Sequence, residues 1–155
     1  MNENTETPEI EVHNVSVNHL DKQIIIRGMI QKIEPTKLKL IKGAFKCQGC
    51  GEVVQITQDD SDLLIKPIEC EIEACGRKKF ELLQQESEWI DQRIITLRDS
   101  ENYEEEIKVV VRGIELINKI PSSGAIINIT GLLKIISQKK QFRLLQNINH
   151  SAILV

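Results

Sequence analysis

Two short stretches decide how this chain reads, Cys47-Gln48-Gly49-Cys50-Gly51 and Cys70-Glu71-Ile72-Glu73-Ala74-Cys75-Gly76, with nineteen residues between Cys50 and Cys70. Each supplies two sulfurs from one tight turn. Each ends in Cys-Gly, where glycine's tolerance of positive φ lets the backbone wrap around a metal. Four thiolates complete the closed tetrahedral set that structural zinc prefers. The spacing therefore predicts one structural zinc ion (Zn2+) on Cys47, Cys50, Cys70 and Cys75, with no open position for catalysis. A disulfide framework would need an oxidising compartment. A redox Cys-x-x-Cys would use the first pair and leave the second unexplained. His13, His19 and His150 lie outside the cysteine module and read as ordinary surface or core residues.

On both sides of the cysteines the sequence is strand-like. Isoleucine and valine are abundant and aromatics make up 3% of the chain. β-branched side chains suit a pleated sheet. Ile24-Ile25-Ile26, followed by Gly28 and Ile30, reads as a strand in which the glycine marks a bulge or bend. Leu38 and Leu40 alternate with Lys37 and Lys39, which predicts one apolar face and one basic face. Phe80 to Leu82, Arg93 to Leu97, Ile107 to Val111 and Ala125 to Ile136 read as further strands, with weak helical periodicity from Leu82 to Ile90. Pro121 to Gly124 and Ser137 to Lys140 read as turns, the second leading into Gln141-Phe142-Arg143-Leu144. Phe45, Phe80, Trp89 and Phe142 are expected in the core. The fold class is all-β: a small barrel of five to six strands, an inserted zinc ribbon at about 46–79, and a short C-terminal β-hairpin. Residues 1–11 read as a flexible acidic tail and 12–155 as a single domain.

The net charge is −3, but its distribution is uneven. Lys22 to Cys50 holds seven basic residues and one acid, Glu34, whereas Gly51 to Gly76 holds seven acids and one base, Lys66. Lys134, Lys139, Lys140 and Arg143 form another basic run without an acid. Such segregation points to modules with different partners. No stretch approaches the roughly 18 apolar residues of a membrane helix, so no membrane partner is expected. The first residues have neither a basic region nor an apolar core, which predicts an intracellular protein of the cytoplasm, nucleoid or nucleus.

Several segments together resemble the N-terminal domain of the MCM (minichromosome maintenance) replicative helicases. They are Gly28-Met29-Ile30-Gln31-Lys32-Ile33, running without a gap to Gly43-Ala44-Phe45-Lys46-Cys47, then Phe80-Glu81-Leu82 and Ser87-Glu88-Trp89-Ile90-Asp91. Ile107 to Arg112 and Ile127-Asn128-Ile129-Thr130-Gly131 match later strands, so the resemblance covers about residues 20–136. It implies an OB-fold barrel that binds DNA through basic residues of the barrel and a projecting hairpin, and that helps assemble a ring. The departures matter too. The family's helical subdomain has no counterpart here, no G-x-x-x-x-G-K-[ST] loop is present to cradle phosphates, and a Gln-Glu of the family becomes Arg98-Asp99.

The expected function is a non-catalytic DNA-binding module of replication, with DNA as the partner, single-stranded ahead of duplex. Lys32, Lys37 and Lys39 of the barrel and Lys139, Lys140 and Arg143 of the hairpin are the expected contacts. The alternative is an interaction module that associates with an MCM helicase or other replication proteins, or forms a homo-oligomer, with little DNA binding. The acidic cysteine segment favours protein contact there. Nothing supports an enzyme: paired catalytic carboxylates and a His/Cys nucleophile arrangement are both missing.

Overall fold

The run Gln23–Ile33 alternates buried and half-buried side chains, with Ile24, Ile26 and Ile30 inward, which is the period of a strand with one face in a core. A computed structural model describes residues 7–61, 63–72, 74–101, 104–136 and 139–150, with the backbone alone over 145–150. Among the described residues there are nine strands: β1 (Glu9–Glu11), β2 (Gln23–Ile33), β3 (Lys37–Cys47), β4 (Val53–Thr57), β5 (Phe80–Leu82), β6 (Glu88–Arg98), β7 (Glu106–Arg112), β8 (Ile126–Ile136) and β9 (Lys139–His150). One helical turn, α1 (Ile114–Ile117), follows β7. No helix among the described residues is long and apolar enough to cross a membrane.

Contacts divide the chain into two compact units, one running up to Lys37 and resuming at Asp91, the other Leu38–Ile90. In the first, β2 pairs with β8, β8 with β9, β9 with β7, β7 with β6, and β6 returns to β2. That ring is closed and leaves no edge along its circumference. Counted in chain order, its strands neighbour one another first-second-third-fifth-fourth, with the third and fifth parallel and α1 between the third and fourth. This is the five-stranded Greek-key barrel of the OB-fold. The core gathers the inward residues of all five strands, Ile95, Leu97, Val109, Ile127, Leu133 and Phe142 among them, with Val12, Val15 and Ile117 packed on. Each such side chain contributes about 1.5–3 kcal/mol by leaving water.

Glycine serves close approach in this barrel. A Cβ on Gly28 would meet the Arg98 carbonyl oxygen at 3.0 Å and Val12 at 3.1 Å. The bulge expected there falls slightly later, between Ile30 and Lys32. A second register shift separates Ile129 from Gly131, where a Cβ would overlap the Arg143 carbonyl.

Other expectations are corrected. Glu9–Glu11, assigned to a flexible tail, is strand β1, parallel to β2, with the Ile25 N–H donating to the Pro8 carbonyl at 2.8 Å. Residues 1–6, and Ser137 and Gln138 of the hairpin turn, lie outside the described residues. Leu82 to Ile90 is not helical beyond a 3-10 turn at Gln84–Glu86. Trp89 is 38% exposed instead of core, because its Nε1 donates to the Gln84 carbonyl at the surface. Phe80 is half-buried, whereas Phe45 and Phe142 are core. The second unit is longer than the expected 46–79 insertion. In it β3 pairs with β4 on one side and with β5 on the other, from Lys42 to Cys47.

Candidate metal centre and nucleic-acid face

Strand β3 delivers Cys47 to a tight turn. There the Cys47 N–H donates to the Glu52 carbonyl (2.8 Å) and the Gly51 N–H to the Cys47 carbonyl (3.0 Å). The second turn is also closed by backbone bonds: the Cys70 N–H donates to the Arg77 carbonyl and the Cys75 N–H to the Ile72 carbonyl. Gly51 (φ 84°), Ala74 (φ 73°) and Gly76 (φ 57°) all adopt the left-handed conformation such turns require. The glycines were legible in the sequence; Ala74 was not.

The four sulfurs lie within 4.8 Å of one another. Cys47 and Cys75 are 3.6 Å apart, as are Cys50 and Cys70. Zinc–sulfur bonds of about 2.3 Å in a tetrahedron separate sulfurs by about 3.8 Å, whereas a disulfide needs about 2.05 Å. All four cysteines are free. Backbone N–H groups of Cys50 and Gly49 aimed at the Cys47 sulfur lower its pKa to about 6. Cys70 receives the Ile72 N–H, yet burial and the neighbouring Cys50, Cys75 and Cys47 sulfurs push it up to about 12. Sulfurs this close cannot all carry charge unaided, and a divalent cation supplies what they lack. The donor set and its geometry fit one zinc ion.

The basic residues expected at the nucleic acid are treated unequally by the structure. Strand β9 alternates, with Phe142 and Leu144 buried in the core, so Lys139, Gln141 and Arg143 take the outward face. Lys140 shares the inward parity, and its Nζ donates to the Val15 carbonyl at 2.8 Å. It therefore lies on the opposite face of β9 from Lys139 and Arg143, although all three were expected to contact DNA. That signal was available, because two apolar residues of the same parity follow it. The register Lys134↔Gln141 instead brings Lys134 to the outward face, and Lys108↔Gln141, Thr96↔Lys108 and Lys32↔Thr96 continue one row around the barrel. Lys108 was not singled out from sequence, and Lys134 was counted in the basic run but not among the expected contacts. Lys108 pairs with Glu34 (3.1 Å) and Lys134 with Asp21 (3.4 Å).

Lys32 is exposed on β2 and Lys37 is exposed at the start of β3. Leu38, expected to be buried, is 68% exposed, so the predicted apolar face begins only at Leu40. Lys39 belongs to the second unit, where its Nζ donates to the Ser61 carbonyl at 2.8 Å. His19 accepts the Ser16 N–H in a capping box. His13 is held by Asp99, which is fully buried: Asp99 accepts the His13 N–H at 2.9 Å and also contacts the imidazole Nδ1. The His150 side chain lies outside the described residues.

Comparison with known proteins places this geometry. A family model described as MCM OB domain matches residues 11–137. The chain is 32% identical over 77 residues to the DNA helicase MCM8 of Bos taurus, covering 50% of this chain and 9% of that protein. It is 27% identical over 92 residues to the DNA replication licensing factor mcm4 of Schizosaccharomyces pombe, covering 59% and 10%. It thus spans about a tenth of the length of these relatives. Among solved structures, the N-terminal domain of an archaeal MCM superposes with a TM-score of 0.74 over 93% of this chain and 62% of that one. Sequence identity there is 17%, so this likeness is one of fold.

Proposed function

The chain belongs to the MCM OB-domain family, and we propose that it serves DNA replication as a non-catalytic module holding DNA, single strands above all, against its barrel. The observation that carries this reading is the outward face of the β8–β9 hairpin, where strand register gathers Lys134, Lys139 and Arg143. Lys32 extends the basic surface from β2, and Lys37 adds a cation at the start of β3. These groups neutralise phosphates, and the release of condensed counterions supplies the affinity. The ion pairs at Lys108 and Lys134 are of the surface kind, worth about 0–1 kcal/mol, and exchange readily for a phosphate partner. Among the described residues of the barrel unit the one aromatic ring, Phe142, is buried, so base stacking against the barrel, about 1–3 kcal/mol per base where it is provided, adds little.

Cys47, Cys50, Cys70 and Cys75 would hold one zinc ion, which when bound cross-links the two cysteine turns. The role of the metal is structural, since four sulfurs leave no position for substrate. The sequence offers no phosphate-binding loop, so the chain on its own binds DNA and neither binds nor hydrolyses ATP.

The test is fluorescence anisotropy with a labelled oligothymidylate and with duplex DNA at low salt, beside light scattering. Binding of the single strand by the zinc-loaded chain, weakened by added salt, is the expected result. No binding at low salt would contradict the proposal. A self-associating chain without DNA binding would favour the second reading, an assembly module for a replicative helicase or for copies of itself. That reading draws support from the apolar side chains exposed on the second unit, Leu63 and Ile68 foremost.

A further inference from the structure

The second unit has a groove of about 640 Å³ along its cysteine-bearing side. One wall is sheet, with Val54 and Ile56 of β4 and Phe80 of β5; the other is the irregular segment carrying Ile65, Ile68 and Ile72. Gln58 fixes one end of that segment. Its Oε1 accepts the Ile65 N–H at 2.8 Å and its Nε2 donates to the Ile65 carbonyl at 2.9 Å. Ile68 nevertheless stands 86% exposed, and Leu63, just before the segment, 78%. Apolar side chains left in water around a concave apolar surface mark a contact site.

The charge at the groove narrows the choice of occupant. Glu52, Glu69 and Glu71 line it, with Lys66 the single base. Pressing the same face of a second copy against it would set these acids against one another, and DNA would be repelled outright. Strand β4 adds a directional element. Among the described residues it pairs only with β3, and its second row of backbone groups has no strand partner. Pro67 has no N–H, so the covering segment cannot complete that row as a regular strand.

We infer that this groove binds an extended, basic segment of a partner protein, seating its apolar side chains between β4 and the Ile65–Ile72 segment and its lysines or arginines against Glu52, Glu69 and Glu71. Alternation in the partner is what an extended backbone supplies: one row of side chains enters the groove while the other reaches the acids. The groove shares no residue with the proposed DNA face, so either proposal can fail without the other.

The test uses the full zinc-loaded chain and a fluorescein-labelled peptide of alternating valine and lysine. Companion peptides replace every lysine by glutamate or every valine by serine. The valine–lysine peptide should bind, and both companions should bind at least about tenfold more weakly. Ile68→Asp and the pair Glu69→Lys with Glu71→Lys should each weaken binding by about tenfold or more, with zinc content unchanged. Ile68 is solvent-exposed, so its replacement leaves the fold in place. Equal binding of the valine and serine peptides, or indifference to these substitutions, would overturn the inference. So would loss of self-association by Ile68→Asp with peptide binding intact, which would make a second copy the occupant.

Discussion

Among the described residues, the barrel packs sixteen buried side chains into a single apolar cluster. The cysteine unit, among its described residues, buries only the side chains of Leu40, Ala44 and Phe45 besides Cys47 and Cys70. A closed ring of five strands can hold itself together by removing apolar surface from water. A unit with three buried apolar side chains cannot, because its burial does not offset the entropy of ordering its loops. The same contrast reappears at the surface: the barrel presents lysines and arginine on its outward hairpin face, and the cysteine unit presents acids and exposed isoleucines. Two methods of stabilisation thus accompany two kinds of surface.

The sharpest way to break the comparison is to remove the metal. Chelation, or Cys70→Ser, should release the zinc ion and unfold the cysteine turns while the barrel persists. The effect should be the largest available, since structural zinc contributes about 10–16 kcal/mol in isolated zinc-finger peptides. Metal analysis should find one zinc per chain, and hydrogen exchange after chelation should show lost protection at Phe45 and Val54 with protection kept at Ile26 and Val109. Zinc-free protein with a native cysteine unit would refute this account. Acid should act in the same direction as the chelator, because protonated thiols are not ligands.

The converse substitution is Phe142→Ala, which opens a cavity where the side chain is fully buried. It should destabilise the barrel by about 3–5 kcal/mol in denaturant unfolding, with the zinc content of the folded protein unchanged.

The sequence made the clustering of the four cysteines legible because ligand chemistry is written in residue identity and spacing. The barrel was legible because β-branched runs with buried alternation have few other uses. What escaped depended on tertiary context. Glu9–Glu11 is polar because it adds outside the ring, beside β2, with Ile10 the one side chain against the core. Leu38 looks like core by alternation, but nothing covers it. The gathering of Lys134 with Arg143 requires a register that no local pattern reveals, whereas the inward parity of Lys140 follows from Phe142 and Leu144.

A smaller effect separates the N-terminal segment from the rest of the barrel. The hydrogen bond to Asp99 raises the pKa of His13 above 6.5, against an opposing contribution from desolvation. A raised folded-state value means the stabilisation is fully present below the unfolded pKa of about 6.5 and is lost as pH rises through the folded value. The imidazole is partly exposed and solvent-screened, so the change should be slight. NMR titration of His13 should show the raised midpoint, and His13→Gln should flatten this part of the stability profile. An unshifted midpoint would remove the link.

The central claim is that the outward hairpin face of the barrel, not its inward rim, holds DNA. Its most direct test is the salt dependence of oligothymidylate binding for two variants, Lys139→Ala with Arg143→Ala, and Lys140→Ala. Log affinity should fall with log salt by about 0.7 per phosphate contacted. The first variant should bind more weakly with a slope flattened by about 1.4, the sum for two lost contacts. Lys140→Ala should keep the wild-type slope, since its ammonium is engaged with the Val15 carbonyl. Equal slopes for wild type and the outward-face variant, or a flattened slope for Lys140→Ala alone, would contradict the account.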